Sequence, residues 1–196
     1  LVTAREALGG SLVIPPDALW RLDADEYGSL EDLALTPSPE AGRELRKGEA
    51  RIAMHASGLN FREVMLALGM RAADTTIGGE GAGVVTEVGE GVTELAPGDR
   101  VMGPIPASFA PVAVVDADSL VEVPDEWSFV EAAAVPAAFT TAYHGLVDLA
   151  RLQPGEKVLI HAAAGGVGRA AVQLARHLDA EVYATVEDLV MQIGAP

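Results

Sequence analysis

The chain has 196 residues, 49% of them hydrophobic, with 13 basic against 29 acidic side chains and a net charge of −16. That is enough apolar material for one large domain or two small ones. Its acidic surface repels nucleic acid and anionic membrane, so neither is expected as a partner. With no cysteine, disulfides and thiolate zinc sites are excluded, and a reducing, cytoplasmic location is the expectation. No apolar run reaches the length of a membrane span, and Leu1-Val2-Thr3-Ala4-Arg5-Glu6 lacks the charged lead and apolar core of a signal peptide. Opening on Leu, the chain is expected to be cut from something longer.

Residues 1–22 hold one short apolar run, Ser11-Leu12-Val13-Ile14, stopped by Pro15-Pro16, and read as a linker or edge segment. Gly28 to Asp32 suits a turn or a single capped helical turn, and Leu33-Ala34-Leu35 a strand closed by Thr36-Pro37-Ser38-Pro39. Gly48 to Ala56 alternates polar and apolar residues, as a half-buried strand does, and places His55 as a surface or cross-strand residue. Ser57 to Gly69 then reads as a loop opening a short helix, with Phe61, Val64 and Leu68 on one face and Gly69 ending it.

Short strands follow, punctuated by Gly and Pro. Gly78-Gly79-Glu80-Gly81-Ala82-Gly83 leads into Val84-Val85-Thr86-Glu87-Val88, Gly89-Glu90-Gly91 turns, and Pro97-Gly98-Asp99-Arg100 turns again before Val101-Met102. Such spacing argues for a small antiparallel, barrel-like domain over residues 23–124. Glu80, set among glycines, reads as a buried structural contact with Arg62 as its expected partner.

At Ser128 the period changes. Ser128-Phe129-Val130-Glu131 is a capping box whose helix runs into Pro136, and a further helix is expected from Ala137 to Ala150. Residues 125–196 form the second expected domain. Its centre is His161-Ala162-Ala163-Ala164-Gly165-Gly166-Val167-Gly168, between the apolar run Val158-Leu159-Ile160 and the helical pattern Ala170 to Ala175. A strand, a glycine-rich turn and a helix are what a dinucleotide pyrophosphate needs, because the turn must lie close to the phosphates and the helix amides must point at them. The same cluster also suits a tight turn between strand and helix. Glu181-Val182-Tyr183-Ala184-Thr185 supplies the second strand of a βαβ unit, which puts the turn at the carboxyl edge of a parallel sheet.

Four stretches carry a resemblance: Ser57 to Arg62, Gly78 to Val92, Pro97 to Gly103, and Ala162 to Gly168 with Gln173-Leu174-Ala175. Together and in this order they resemble the medium-chain dehydrogenase/reductase superfamily, and within it the enoyl reductase domains of modular (type I) polyketide synthases. The resemblance implies an α/β plus β fold: a GroES-like antiparallel, barrel-like substrate domain followed by an incomplete Rossmann domain. The superfamily's zinc enzymes carry Cys and His at the positions matching Asn60 and Gly79, so this chain is similar to the zinc-independent branch, with no metal expected.

Implied by the resemblance is NADPH-dependent reduction of an enoyl thioester carried on acyl carrier protein, beside neighbouring synthase domains. Ala164, Gly165, Gly166, Val167 and Gly168 would hold the pyrophosphate, and Asn60 and Thr141 would lie near the nicotinamide. Asn60 also suits a helix cap, and Thr141 a bond back to its own helix. No catalytic residue is assigned.

Three departures bear on that reading. Met70-Arg71-Ala72 stands where many of these reductases carry Tyr. Glu187-Asp188 suits the 2′-hydroxyl of NADH better than the 2′-phosphate of NADPH. Lastly, the chain stops one βαβ unit into the dinucleotide domain, where the family continues and supplies a lysine and an aspartate. The alternatives are a stand-alone quinone or enone oxidoreductase, or a catalytically incomplete structural fragment of a synthase.

Overall fold

A computed structural model describes residue 14 and residues 19–24, 28–70, 76–186 and 189–193. The chain divides into two compact units, residues 1–134 and 135–196.

In the first unit, β1 (Trp20–Ala24) and β2 (Leu33–Pro37) form an antiparallel hairpin, so Trp20 to Leu22 are paired strand. The main sheet is five-stranded and antiparallel, built from β3 (Glu49–Ser57), β4 (Gly81–Val88), β5 (Arg100–Gly103), β6 (Val112–Asp116) and β7 (Val121–Glu122) in the order β6-β3-β4-β5-β7. Among the described residues this sheet is open, with β6 and β7 at its edges. Alternation on β3 puts Ala50 and Ile52 inside, against Val85, Val101, Ile105, Val115 and Leu120. Gly83 lets β3 and β4 approach, because a Cβ there would lie 2.8 Å from Ile52 Cγ2 and 3.0 Å from the Ala53 carbonyl carbon.

A shift in the β3–β4 register between Met54 and Ala56 bulges the strand at His55. The imidazole stands exposed and stacks on Phe129, with ring centroids 4.4 Å apart. Past this bulge β3 leads into α1 (Phe61–Ala67), which Gly69 ends at φ +67°. The α1 face that packs inward is Glu63, Leu66 and Ala67, whereas Phe61, Val64 and Leu68 face solvent.

Helix α2 (Phe129–Ala133) starts with the expected box, the Glu131 amide donating to Ser128 Oγ and the Ser128 amide to Glu131 Oε2. It belongs to the first unit because its Phe129 is held by β3 and β5: His55 stacks on the ring, and the Arg100 guanidinium lies 4.9 Å from the centroid. The observed division at Ala134/Val135 therefore falls after α2, ten residues beyond the expected 124/125.

The second unit runs α3 (Pro136–Tyr143), β8 (Lys157–Ile160), α4 (Gly166–His177), β9 (Glu181–Val186) and β10 (Leu189–Ile193). The single helix expected over 137–150 is broken in type, because His144–Leu149 widens to π-helical geometry. There the Ala150 amide reaches back five residues to the Gly145 carbonyl. Strands β8 and β9 are parallel, Lys157 opposite Glu181 and Ile160 opposite Ala184. The sheet is completed by β10, which pairs antiparallel with β9. Residues 194–196 lie outside the described residues. The core here holds many small side chains, with Ala170, Ala171 and Ala175 of α4 clustered with Ile160, Val182 and Ala184. Small residues let the helix lie close on the sheet.

Candidate functional site

The glycine-rich turn is tied down from β9. Thr185 Oγ1 accepts from the Ala162 amide at 3.2 Å and its carbonyl from the Ala163 amide at 3.0 Å. Ala162 takes positive φ (+50°), and the Gly165 amide closes the turn on the Ala162 carbonyl at 2.9 Å. Gly165, in extended backbone, is the N-cap of α4. The first intrahelical bond runs from the Arg169 amide to the Gly165 carbonyl at 2.9 Å, so the Gly166, Val167 and Gly168 amides precede it and have no acceptor within the helix. These donors sit at the positive end of the dipole of a 12-residue helix.

The glycines divide into two roles. A Cβ on Gly166 would meet nothing within 4 Å, and Gly165 and Val167 are also exposed, so the turn is open to solvent at these three residues. A Cβ on Gly168 would strike the Ala162 carbonyl oxygen and lie 2.7 Å from Ala163 Cα. Gly168 thus serves the contact between helix and turn, and Gly165 and Gly166 leave room for a ligand. Amides without an acceptor in the helix, at an exposed helix N-terminus, fit a phosphate or diphosphate. Ala164 lies exposed in the same turn. Thr185 is the contributor that sequence reasoning passed over; its signal is its position as a hydroxyl near the carboxyl end of the strand following the helix.

In the first unit Asn60 is the N-cap of α1 in a capping box with Glu63, whose Oε2 accepts from the Asn60 amide at 2.9 Å. Its carboxamide Nδ2 donates to Glu80 Oε1 at 2.6 Å. Glu80 and Glu63 are each 3% exposed. The expectation that Glu80 is a buried structural contact meets a hydrogen bond to Asn60, and Arg62 Nη1 pairs with Glu63 Oε1 at 2.7 Å. Gly58 faces this cluster without a side chain; a Cβ there would lie 2.6 Å from Glu80 Cδ. A hollow of about 400 Å³ lies elsewhere in this unit, lined by Trp20, Leu35, Met54, His55, Ser57 and Phe109 among others. At its wall Ser57 Oγ donates to the Ser108 carbonyl at 2.6 Å.

Thr141 is exposed on α3 and its hydroxyl donates to the Ala137 carbonyl at 2.7 Å, the backbone bond open to a threonine inside a helix. On the sheet, Tyr183 donates its phenol to Glu181, which holds that carboxylate below its ordinary range and raises the phenol above its own. Arg71, Ala72, Glu187 and Asp188 lie outside the described residues.

Comparison with known proteins places this geometry in a family. Residues 46–125 match the alcohol dehydrogenase GroES-like domain. The chain is 58% identical to the spectinabilin polyketide synthase system protein NorB of Streptomyces orinoci, over 97% of this chain and 9% of that protein. Among solved structures it is similar to the CurK enoyl reductase (TM-score 0.78, 38% identity, 88% of this chain and 55% of that one). It is also similar to a quinone oxidoreductase from Coxiella burnetii (TM-score 0.74, 30% identity, 87% and 57%). The chain therefore spans about half the length of these solved relatives and a small part of the synthase. With its GroES-like domain, its βαβ unit and these relatives, the chain belongs to the medium-chain dehydrogenase/reductase superfamily, in the enoyl reductase branch of modular polyketide synthases.

Proposed function

We propose that this chain forms the substrate-side unit and the opening of the dinucleotide unit of an NADPH-dependent enoyl reductase. Its substrate is an enoyl thioester on acyl carrier protein, within a polypeptide that carries neighbouring synthase domains. The observation that carries the reading is the set of Gly166, Val167 and Gly168 amides left without an acceptor in the helix at the N-terminus of α4, where Gly165, Gly166 and Val167 are exposed.

Held by these amides, NADPH would supply hydride for the β-carbon of the conjugated double bond. The residues of this chain bind and orient. The Gly166, Val167 and Gly168 amides receive the diphosphate charge, while Ala164 and Gly165 keep its approach clear. Asn60 and Thr141 serve the nicotinamide side, one through its carboxamide. The Thr141 hydroxyl donates to Ala137, which leaves its oxygen free to accept from a ligand.

The test uses the full polypeptide that carries this chain, a crotonyl thioester on acyl carrier protein, and either NADPH or NADH. Loss of reduced-nicotinamide absorbance with formation of the saturated thioester is expected, faster with NADPH. No turnover under conditions where the CurK enoyl reductase works overturns the reading. The likeness to the Coxiella quinone oxidoreductase favours a second reading, and faster consumption with free quinone than with thioester would select it.

A further inference from the structure

Two capping boxes in this chain differ in one respect. Around α2, Ser128 and Glu131 form an exposed box and need nothing further. Around α1, Asn60 and Glu63 form the same box, yet a second carboxylate, Glu80 from a point 20 residues along the chain, takes the Asn60 carboxamide at 2.6 Å while only 3% exposed. A helix cap is worth about 1 kcal/mol and works at the surface, so capping alone does not call for a buried carboxylate on the amide. Glu80 is itself clamped, because the Gly58 backbone leaves no space beside it and the Gly58 amide donates to the Glu80 carbonyl at 3.2 Å.

We infer that Glu80 is a positioning residue for Asn60, holding its carboxamide so that Oδ1 is presented to a hydrogen-bond donor on the nicotinamide end of the cofactor. Asn60 Nδ2 donates to Glu80 Oε1, so the NH2 group is the end of the carboxamide turned towards Glu80. Oδ1 therefore faces away from Glu80, and with two lone pairs it can accept from a ligand as well as from α1. The inference rests on the proposed role of Asn60.

The test is an end-for-end exchange in the full polypeptide. Asn60→Asp alone sets two carboxylates against each other, one of which must take a proton, so NADPH binding weakens and weakens further as pH rises. Glu80→Gln alone frees the amide to turn over, raising the Kd and KM for NADPH about tenfold, the scale of one charge-assisted hydrogen bond, with the thioester KM unchanged. The double variant Asn60→Asp/Glu80→Gln restores the same bond with donor and acceptor exchanged and keeps an oxygen outward, so NADPH affinity, read by nicotinamide fluorescence, returns towards wild type. It also decides the matter where Glu80→Gln alone does not fold. A double variant no better than Asn60→Asp, or Glu80→Gln with wild-type affinity, overturns the inference. Wild-type protein that neither binds NADPH nor reduces the thioester rejects instead the proposed function beneath it.

Discussion

Replacing Gly168 by Ala puts a methyl carbon 2.7 Å from Ala163 Cα and against the Ala162 carbonyl oxygen. Both are backbone atoms, so no side chain can swing away. Reaching the 3.4 Å of an ordinary contact with both atoms requires α4 and the turn to part by about 1.1 Å. Forcing a methyl into a packed contact costs about 1–3 kcal/mol, which for a protein of this size lowers the melting temperature by about 2–12 °C. Gly166→Ala is the matched control. Its methyl meets nothing within 4 Å, so stability holds or rises by up to about 1 kcal/mol, while the methyl occupies the space assigned to the diphosphate and NADPH affinity falls. Differential scanning calorimetry and NADPH titration on both variants separate the two glycines. A Gly168→Ala protein that melts with the wild type, or a Gly166→Ala protein that binds NADPH as tightly as wild type, refutes the division of roles.

Phe129→Ala removes both the stack on His55 and the Arg100 cation–π contact; urea denaturation should show a loss of about 1–2.5 kcal/mol. A hydrogen bond from the Arg43 guanidinium first, and one from the Arg46 amide second, hold the Glu49 carboxylate down from 4.5 to about 2. A depressed carboxylate contributes stability above its unfolded value and loses it as pH falls, so the gap between wild type and Glu49→Gln should be constant above about pH 5 and close towards pH 2. A gap that persists at pH 2 would count against that pair. Ser128→Ala should cost about 1 kcal/mol through the lost α2 cap, measured by the same denaturation.

The elements fixed by local chemistry were legible before any coordinates. The Ser128–Glu131 box, the Gly69 stop and the run from Val158 through α4 to Thr185 each depend on neighbours in sequence, and each is found where expected. What depended on tertiary contact was not. Three- and four-residue spacing put Phe61, Val64 and Leu68 on one face of α1 but could not say which way it looks, and it looks outward because Leu66 and Ala67 fill the core side. The Asn60–Glu80 bond spans 20 residues and joins a helix cap to a strand entry, which no periodicity announces. Strand β10 follows an acidic pair, and its five residues gain their partner only once β9 is in place. The π-helical widening at His144–Leu149 likewise leaves the apolar pattern unchanged.

The most direct test follows backbone amides by NMR as NADPH is added to the 15N-labelled protein. The largest shift changes should fall on Gly165, Gly166, Val167 and Gly168, saturating together. If those four resonances stay in place while NADPH binds elsewhere, the turn before α4 is not the diphosphate site.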